Sequence, residues 1–267
     1  MLKVHTYNLP IQTLTNVEFF FDPCNDQLYL YSYMTKTLVT MSHKNIDKKD
    51  IIVDHVEEDH IRAIHPWTRT FLYQRGDVHL FNESLVIDYF DHDSLQSMVY
   101  DKYGNLIVLH AHLVYIFNKY GQLTRSSYYI KVSQMLCINM FLDIKYNYLY
   151  CTYCNLSDRT FTLFSCHHID QDGNMTTKYE FKMKQNLGKF CIDTDLNLVM
   201  FIKHMRGGNE IGICKLQHDD DKVEMVPVKT CTVPSNIYDL TYCTNTKTLA
   251  VLTCKENNLC SIELYQL

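Results

Sequence analysis

The chain has 267 residues, a net charge of −5 and a pI near 6.2, so neither a phosphate-binding basic protein nor a disordered acidic one is indicated. Hydrophobic residues make up 46% and aromatics 13%, enough for a large core, and 20 Tyr with 13 Phe favour strands over helices. The start, Met1-Leu-Lys-Val-His-Thr-Tyr7, lacks the apolar stretch of a signal peptide, no run is long enough for a spanning helix, and the 11 Cys have no framework spacing. These features predict free thiols in a reducing compartment, the cytoplasm, with no membrane contact and chance matches at the sequons of Asn82, Asn155 and Asn174. Ala occurs only at positions 63, 111 and 250, and Lys far outnumbers Arg. That usage is one of AT-rich coding and fits some large DNA viruses of eukaryotes and also some protists.

In chain order, Leu2–Tyr7 is a strand, and a linker with Pro10 leads to Val17–Phe21. A turn from Asp22 precedes Leu28–Tyr31, Thr37–Met41 and Ile51–Val53. The next set is Ile61–Ile64, a turn through His65-Pro-Trp67, then Phe71–Tyr73, Val78–Phe81 and Leu85–Ile87. The clearest set runs from Leu95: a strand to Asp101, the turn Lys-Tyr-Gly104-Asn105, a strand Leu106–His110, and Leu113–Phe117 closed by Asn118-Lys-Tyr-Gly121-Gln122. Gly takes the positive φ such turns need, and Asp or Asn bonds its own backbone nearby. Ser127–Ile130 is expected as the last strand of this set. A fourth set is Met135–Ile138, Tyr148–Cys151, Phe161–Phe164 and Lys178–Phe181. A fifth is Lys189–Ile192, Leu198–Phe201, Ile211–Cys214 and Val223–Val226, and a sixth is Ile237–Leu240, Leu249–Leu252 and Cys260–Leu264.

The second strands begin at Leu28, Phe71, Leu106, Leu149, Leu198 and Leu249, spaced 43, 35, 43, 49 and 51 residues apart. Four short strands per repeat at this spacing are the mark of a propeller blade, and helical periodicity is missing. The prediction is a single all-β domain over 1–267, a six-bladed β-propeller with blades at about 17–55, 61–90, 95–131, 135–182, 187–229 and 237–267. The sixth set lacks a strand, so residues 2–7 are expected to pair with it and close the ring.

The stretch Val99-Tyr-Asp101-Lys-Tyr-Gly104-Asn105-Leu-Ile-Val108, with Val114-Tyr-Ile-Phe117-Asn-Lys-Tyr-Gly121, resembles NHL-type repeats of six-bladed propellers. Ile192-Asp193-Thr-Asp-Leu-Asn197 is a poorer copy, and the other sets share only the strand–turn–strand plan. The resemblance implies a ligand-binding or scaffolding propeller, and the fold alone assigns no activity.

Chemistry-bearing clusters are few. Cys151-Thr-Tyr-Cys154 with Cys166-His167-His168 has zinc-ligand chemistry, but on a strand residues 151 and 154 face opposite ways. Small buried hydrophobes are the plainer reading of such cysteines. His55, His60, His65, His79 and His92 lead into His110-Ala-His112, which on one strand puts two imidazoles on one face. Surface histidines are the plainer reading. Asp22, Asp101, Asp143 and Asp193 end first strands, and resemblance to lactonase-type propellers would imply a calcium or zinc ion held by such carboxylates. Turn-capping by Asp explains them without an ion. Arg206-Gly-Gly-Asn209 reads as a loop tip, and the runs Lys44–Asp50 and His218–Lys222 as solvated hairpin loops. The expected function is therefore a non-enzymatic protein-interaction module without cofactor, binding a protein such as a host innate immune component and not nucleic acid. A metal-dependent lactonase-like hydrolase and a virion structural protein are the alternatives.

Overall fold

The computed structural model describes residues 1–9, 17–22, 27–32, 35–42, 51–55, 60–64, 71–75, 79–82, 85–87, 95–126, 135–155, 162–183, 187–203, 208–219, 222–255 and 260–267. Every regular element among them is a strand, so no helix there is long and apolar enough to cross a membrane. The amino-terminal strand is β1 (Leu2–Asn8). A first sheet holds β2 (Val17–Phe21), β3 (Gln27–Ser32), β4 (Thr37–Ser42) and β5 (Ile51–His55). The next holds β6 (His60–Ile64), β7 (Phe71–Arg75), β8 (His79–Asn82) and β9 (Leu85–Ile87). Then come β10 (Leu95–Tyr100), β11 (Leu106–His110), β12 (Leu113–Phe117) and β13 (Leu123–Ser126). A fourth sheet has β14 (Met135–Asp143), β15 (Tyr148–Asn155), β16 (Thr162–Ile169) and β17 (Met175–Met183). A fifth has β18 (Phe190–Asp193), β19 (Leu198–Ile202), β20 (Glu210–Asp219) and β21 (Lys222–Thr232). The last has β22 (Asn236–Cys243), β23 (Thr248–Cys254) and β24 (Cys260–Gln266), joined by β1 on the outside of β24. All six sheets are four-stranded.

Burial explains which strand sits where. The apolar β11 and β23 are buried along their whole length, as strands covered on both faces must be. Outer strands alternate instead: on β17 the exposed positions are Thr176, Lys178, Glu180 and Lys182, and the three charges among them keep an open edge from pairing. The chain divides into two compact units, one of residues 1–58, 187–218 and 225–267, the other of 59–186 and 219–224.

In the first unit, β1 runs antiparallel to β24 from Leu2 opposite Gln266 to Asn8 opposite Ser261, with a bulge between Lys3 and His5. The Leu9 amide extends the ladder to the Cys260 carbonyl at 2.9 Å. Tyr7 and Leu9 pack with Leu252, Ile262 and Leu264 and with Phe19, Leu28, Leu30 and Val39, so the amino-terminal segment shares one core with the first and last sheets. Lys3 Nζ lies 2.7 Å from the buried Glu263 carboxylate, which also accepts from the Tyr265 hydroxyl. The second unit is centred on Ile107, Leu109, Val114 and Ile116 packed against Leu149, Cys151, Tyr153 and Leu163.

One sequence expectation is corrected and another falls outside the described residues. Among the described residues the last strand of the third set is β13, Leu123–Ser126, directly after the Asn118–Gln122 turn; Ser127–Ile130 lies outside the described residues. His110 and His112 do not share a strand face: Ala111 and His112 have φ of 47° and 65° and form the two-residue tip joining β11 to β12. The Trp67 turn, the Lys44–Asp50 run, Arg206 and Gly207 also lie outside the described residues.

Candidate functional site

The most organised polar structure is built from the turns of the second unit. The β10–β11 turn places Asp101, fully buried, at the end of its strand. Asp101 Oδ1 accepts the amides of Tyr103 and Asn105 at 2.8 Å each. Its Oδ2 accepts the side-chain amides of Asn105 at 2.8 Å and Asn147 at 3.0 Å. Asn147 stands on the β14–β15 turn with φ of 57° and also donates to the Ile169 carbonyl at 2.6 Å. Asn105 reaches the Asp170 carbonyl at 3.2 Å and accepts the Lys119 amide at 3.2 Å. One buried carboxylate and two carboxamides therefore tie four turns together.

Two of the other three turns repeat the same local design. Asn118 Oδ1 accepts the amides of Tyr120 and Gln122, each at 3.0 Å. Asp170 Oδ1 accepts Asp172 and Asn174, at 2.9 and 2.8 Å. Slight desolvation would raise the Asp170 carboxyl, but the Asn174 and Asp172 amides outweigh it and hold the group below its ordinary value. The Asp170-Gln-Asp-Gly173-Asn174 turn copies Asp101-Lys-Tyr-Gly104-Asn105 and was missed in the sequence, although its Asp-x-x-Gly-Asn spelling is the same. Its Gly173 has φ of 82°, and a Cβ there would stand 3.1 Å from Thr124 Oγ1.

What these turns present is a second repeated feature. Lys102, Lys119 and Lys145 lie over the rings of Tyr103, Tyr120 and Tyr146, at 5.1, 5.2 and 4.9 Å from the ring centroids. Tyr120 is 74% exposed and Tyr146 37%. Tyr146 stacks on Tyr148 at 6.0 Å, and Tyr148 meets His168 edge-on at 5.8 Å. The signal for this site was the dipeptide Lys-Tyr recurring inside successive turns.

The first unit uses the same linkage with a charge. Asp193 accepts Lys247 Nζ at 3.0 Å, the Tyr242 hydroxyl and the Leu196 amide. Lys247 has φ of 56° on the β22–β23 turn and also reaches Asp195 at 2.6 Å. Partial burial lowers Lys247, yet Asp195 and Asp193 more than offset it and hold the ammonium above its usual range. Elsewhere in this unit Lys189, just before β18, pairs with Asp239 of β22. Burial pushes Asp239 up, and the Lys189 ammonium and the Leu240 amide only partly reverse it. Dense surroundings pull Lys189 down, but Asp239 and then Glu18 leave it raised.

The metal candidates do not converge on an open site. Cys151 is buried on β15 opposite Ser165, and Cys154 is three residues further on opposite Thr162. Cys166 lies opposite Tyr150 on the same sheet, and burial pushes its thiol up to about 12. His167 is fully buried, with Nε2 2.6 Å from Ser165 Oγ and Nδ1 3.1 Å from Thr177 Oγ1. Both ring nitrogens face hydroxyls in the sheet. His110 ends β11 with its ring edge-on to Tyr115. His112 docks the hairpin tip, its Nδ1 3.0 Å from the Cys137 carbonyl and 3.1 Å from Gln96 Nε2. Among the described residues no three His, Cys, Asp or Glu side chains are grouped to hold a metal ion.

Meanders of four strands, buried inner strands and Asp-capped turns define the class as a β-propeller, and comparison with solved structures agrees. The β-propeller domain of Cps50 (Swd1) from Myceliophteria thermophila matches with a TM-score of 0.58 and 12% identity, over 93% of this chain and 83% of that one. A protein from Bacteroides uniformis described as a 6-phosphogluconolactonase matches with a TM-score of 0.50 and 10% identity, over 78% and 69%. At such identities the likeness is one of fold. No protein-family model and no curated protein sequence matches the chain.

Proposed function

We propose that the chain is a single six-bladed ring, latched by β1, that serves as a protein-interaction module and carries out no chemistry. The carrying observation is the state of two of the carboxylates that end first strands, Asp101 and Asp193. Asp101 is saturated by four backbone and carboxamide donors, and Asp193 is held by Lys247, Tyr242 and a backbone amide. These two carboxylates brace turns, and the donors around them leave little of either for a substrate-activating ion. The six four-stranded sheets, the β1–β24 pairing and the NHL-like spelling of the third set support the ring. The likeness to the Cps50 (Swd1) domain supports a scaffold frame and says nothing of its partner.

The composition supports, further, a viral protein acting in host cytoplasm on a host protein, with an innate immune signalling component as the first partner to look for. The test is affinity capture of the tagged full chain from eukaryotic cell lysate with quantitative mass spectrometry. The expected result is a small set of proteins enriched over an unrelated propeller. Enrichment of none, together with turnover of a lactone panel or copurification with virus particles, would replace this reading with the hydrolase or the structural one.

A further inference from the structure

We infer that the turn end of the second unit, carrying Lys102, Tyr103, Lys119, Tyr120, Lys145 and Tyr146, is a docking face for an acidic segment of a partner protein. The inference rests on the interaction-module reading and adds which surface is used and what chemistry it takes. Three observations carry it. The face is rigid before anything binds, because buried Asp101, Asn105 and Asn147 lock four turns to one another. Little ordering entropy is then lost on association. It also exposes large rings that a strand protein normally buries, Tyr120 at 74% and Tyr146 at 37%. Tyrosines on rigid turn tips supply wide amphipathic contact area with few torsions to freeze.

The third observation is charge. Each of the three rings has an ammonium group lying over it, at 4.9 to 5.2 Å. The carboxylates of the same turns are Asp101, Asp143, Asp170 and Asp172. Asp101 and Asp143 are buried, and Asp170 is turned onto the Asp172 and Asn174 amides. Asp172 is the remaining exposed carboxylate of these turns. The outward groups are thus mainly ammonium and phenol, donors that meet carboxylates. Lysines lying on the rings cover π-faces that nucleic-acid bases would need for stacking, which favours a peptide over a single strand.

The test is fluorescence anisotropy on the full chain with three probes. They are a labelled peptide alternating Glu pairs with single Phe residues, its Gln counterpart, and oligothymidine. The expected result is that the acidic peptide binds, the Gln peptide binds at least about tenfold more weakly, and added salt weakens binding. K102A/K119A/K145A and, separately, Y120A should each weaken it by a similar factor while the thermal midpoint stays unchanged, since Lys119, Lys145 and Tyr120 lie exposed on the turns. No binding of the acidic peptide, or equal binding by the lysine variant, overturns the inference. Preferential binding of oligothymidine overturns it in favour of a nucleic-acid face. If the lysine variant still captures every lysate protein the native chain captures, this face is wrong and the module reading stands. If the native chain captures none, the module reading itself falls.

Discussion

At the residue scale the molecule depends on a few polar atoms in the wrong place for water. Asp101 is fully buried and has four donors pointed at it. Asp101→Ala strands them, and at about 1–3 kcal/mol for each unsatisfied group the loss should reach about 3 kcal/mol or more by urea unfolding. Asp170 is the exposed version of the same cap. Its carboxyl titrates below the ordinary value, so its contribution is present above about pH 3.8 and is lost as pH falls through the lowered folded value. Asp170→Asn keeps the cap but not the charge, and should flatten the acid limb of the stability profile in this range. Ala111 marks the opposite case, a residue ill-suited to its φ of 47°. His112 behind it is anchored to Gln96 and Cys137, which holds the tip in place. Ala111→Asn should stabilise by about 1 kcal/mol, read as a raised urea midpoint, because Asn tolerates the left-handed region.

At the scale of elements, β1 is the strand with the most consequence for its length. It covers the otherwise open edge of β24 and sends Tyr7 and Leu9 into a core shared by β2, β3, β23 and β24. Leu9→Ala should cost about 2–5 kcal/mol, the range for a buried Leu. Deleting residues 1–8 removes the edge pairing as well and leaves Glu263 buried without Lys3. The deletion variant should melt earlier and associate through β24, seen as a concentration-dependent size by light scattering. A monomer of unchanged midpoint would show that β1 is an ornament.

On the scale of the whole molecule, the proposed ring makes its two units unfold together. Trp67 is the single tryptophan and belongs in sequence to the second unit, while β1 belongs to the first. Removing residues 1–8 should therefore shift the Trp67 fluorescence transition by as much as the far-UV circular dichroism transition. A fluorescence transition that stays put while circular dichroism shifts would mean two independent folding units, and the single-domain proposal would fail.

Alternation, Asp-x-x-Gly-Asn spelling and spacing were enough, without coordinates, to locate the strand sets and the amino-terminal strand's place beside the last of them. Local rules carry these features: a pleat alternates by two, a tight turn needs positive φ, and an exposed edge needs a partner. The strand Leu123-Thr-Arg-Ser126 went unmarked in the sequence because it has little apolar character and takes its ladder from Tyr115–Phe117. His110 and His112 were misread because Ala-His carries no turn signature, and only docking against Gln96 and Cys137 holds those left-handed angles. Which turns meet was decided in three dimensions: Asn147 finds Asp101 across 46 positions of chain and Lys247 finds Asp193 across 54. Such partnerships depend on how whole sheets pack, and that information is spread over the buried faces of many strands.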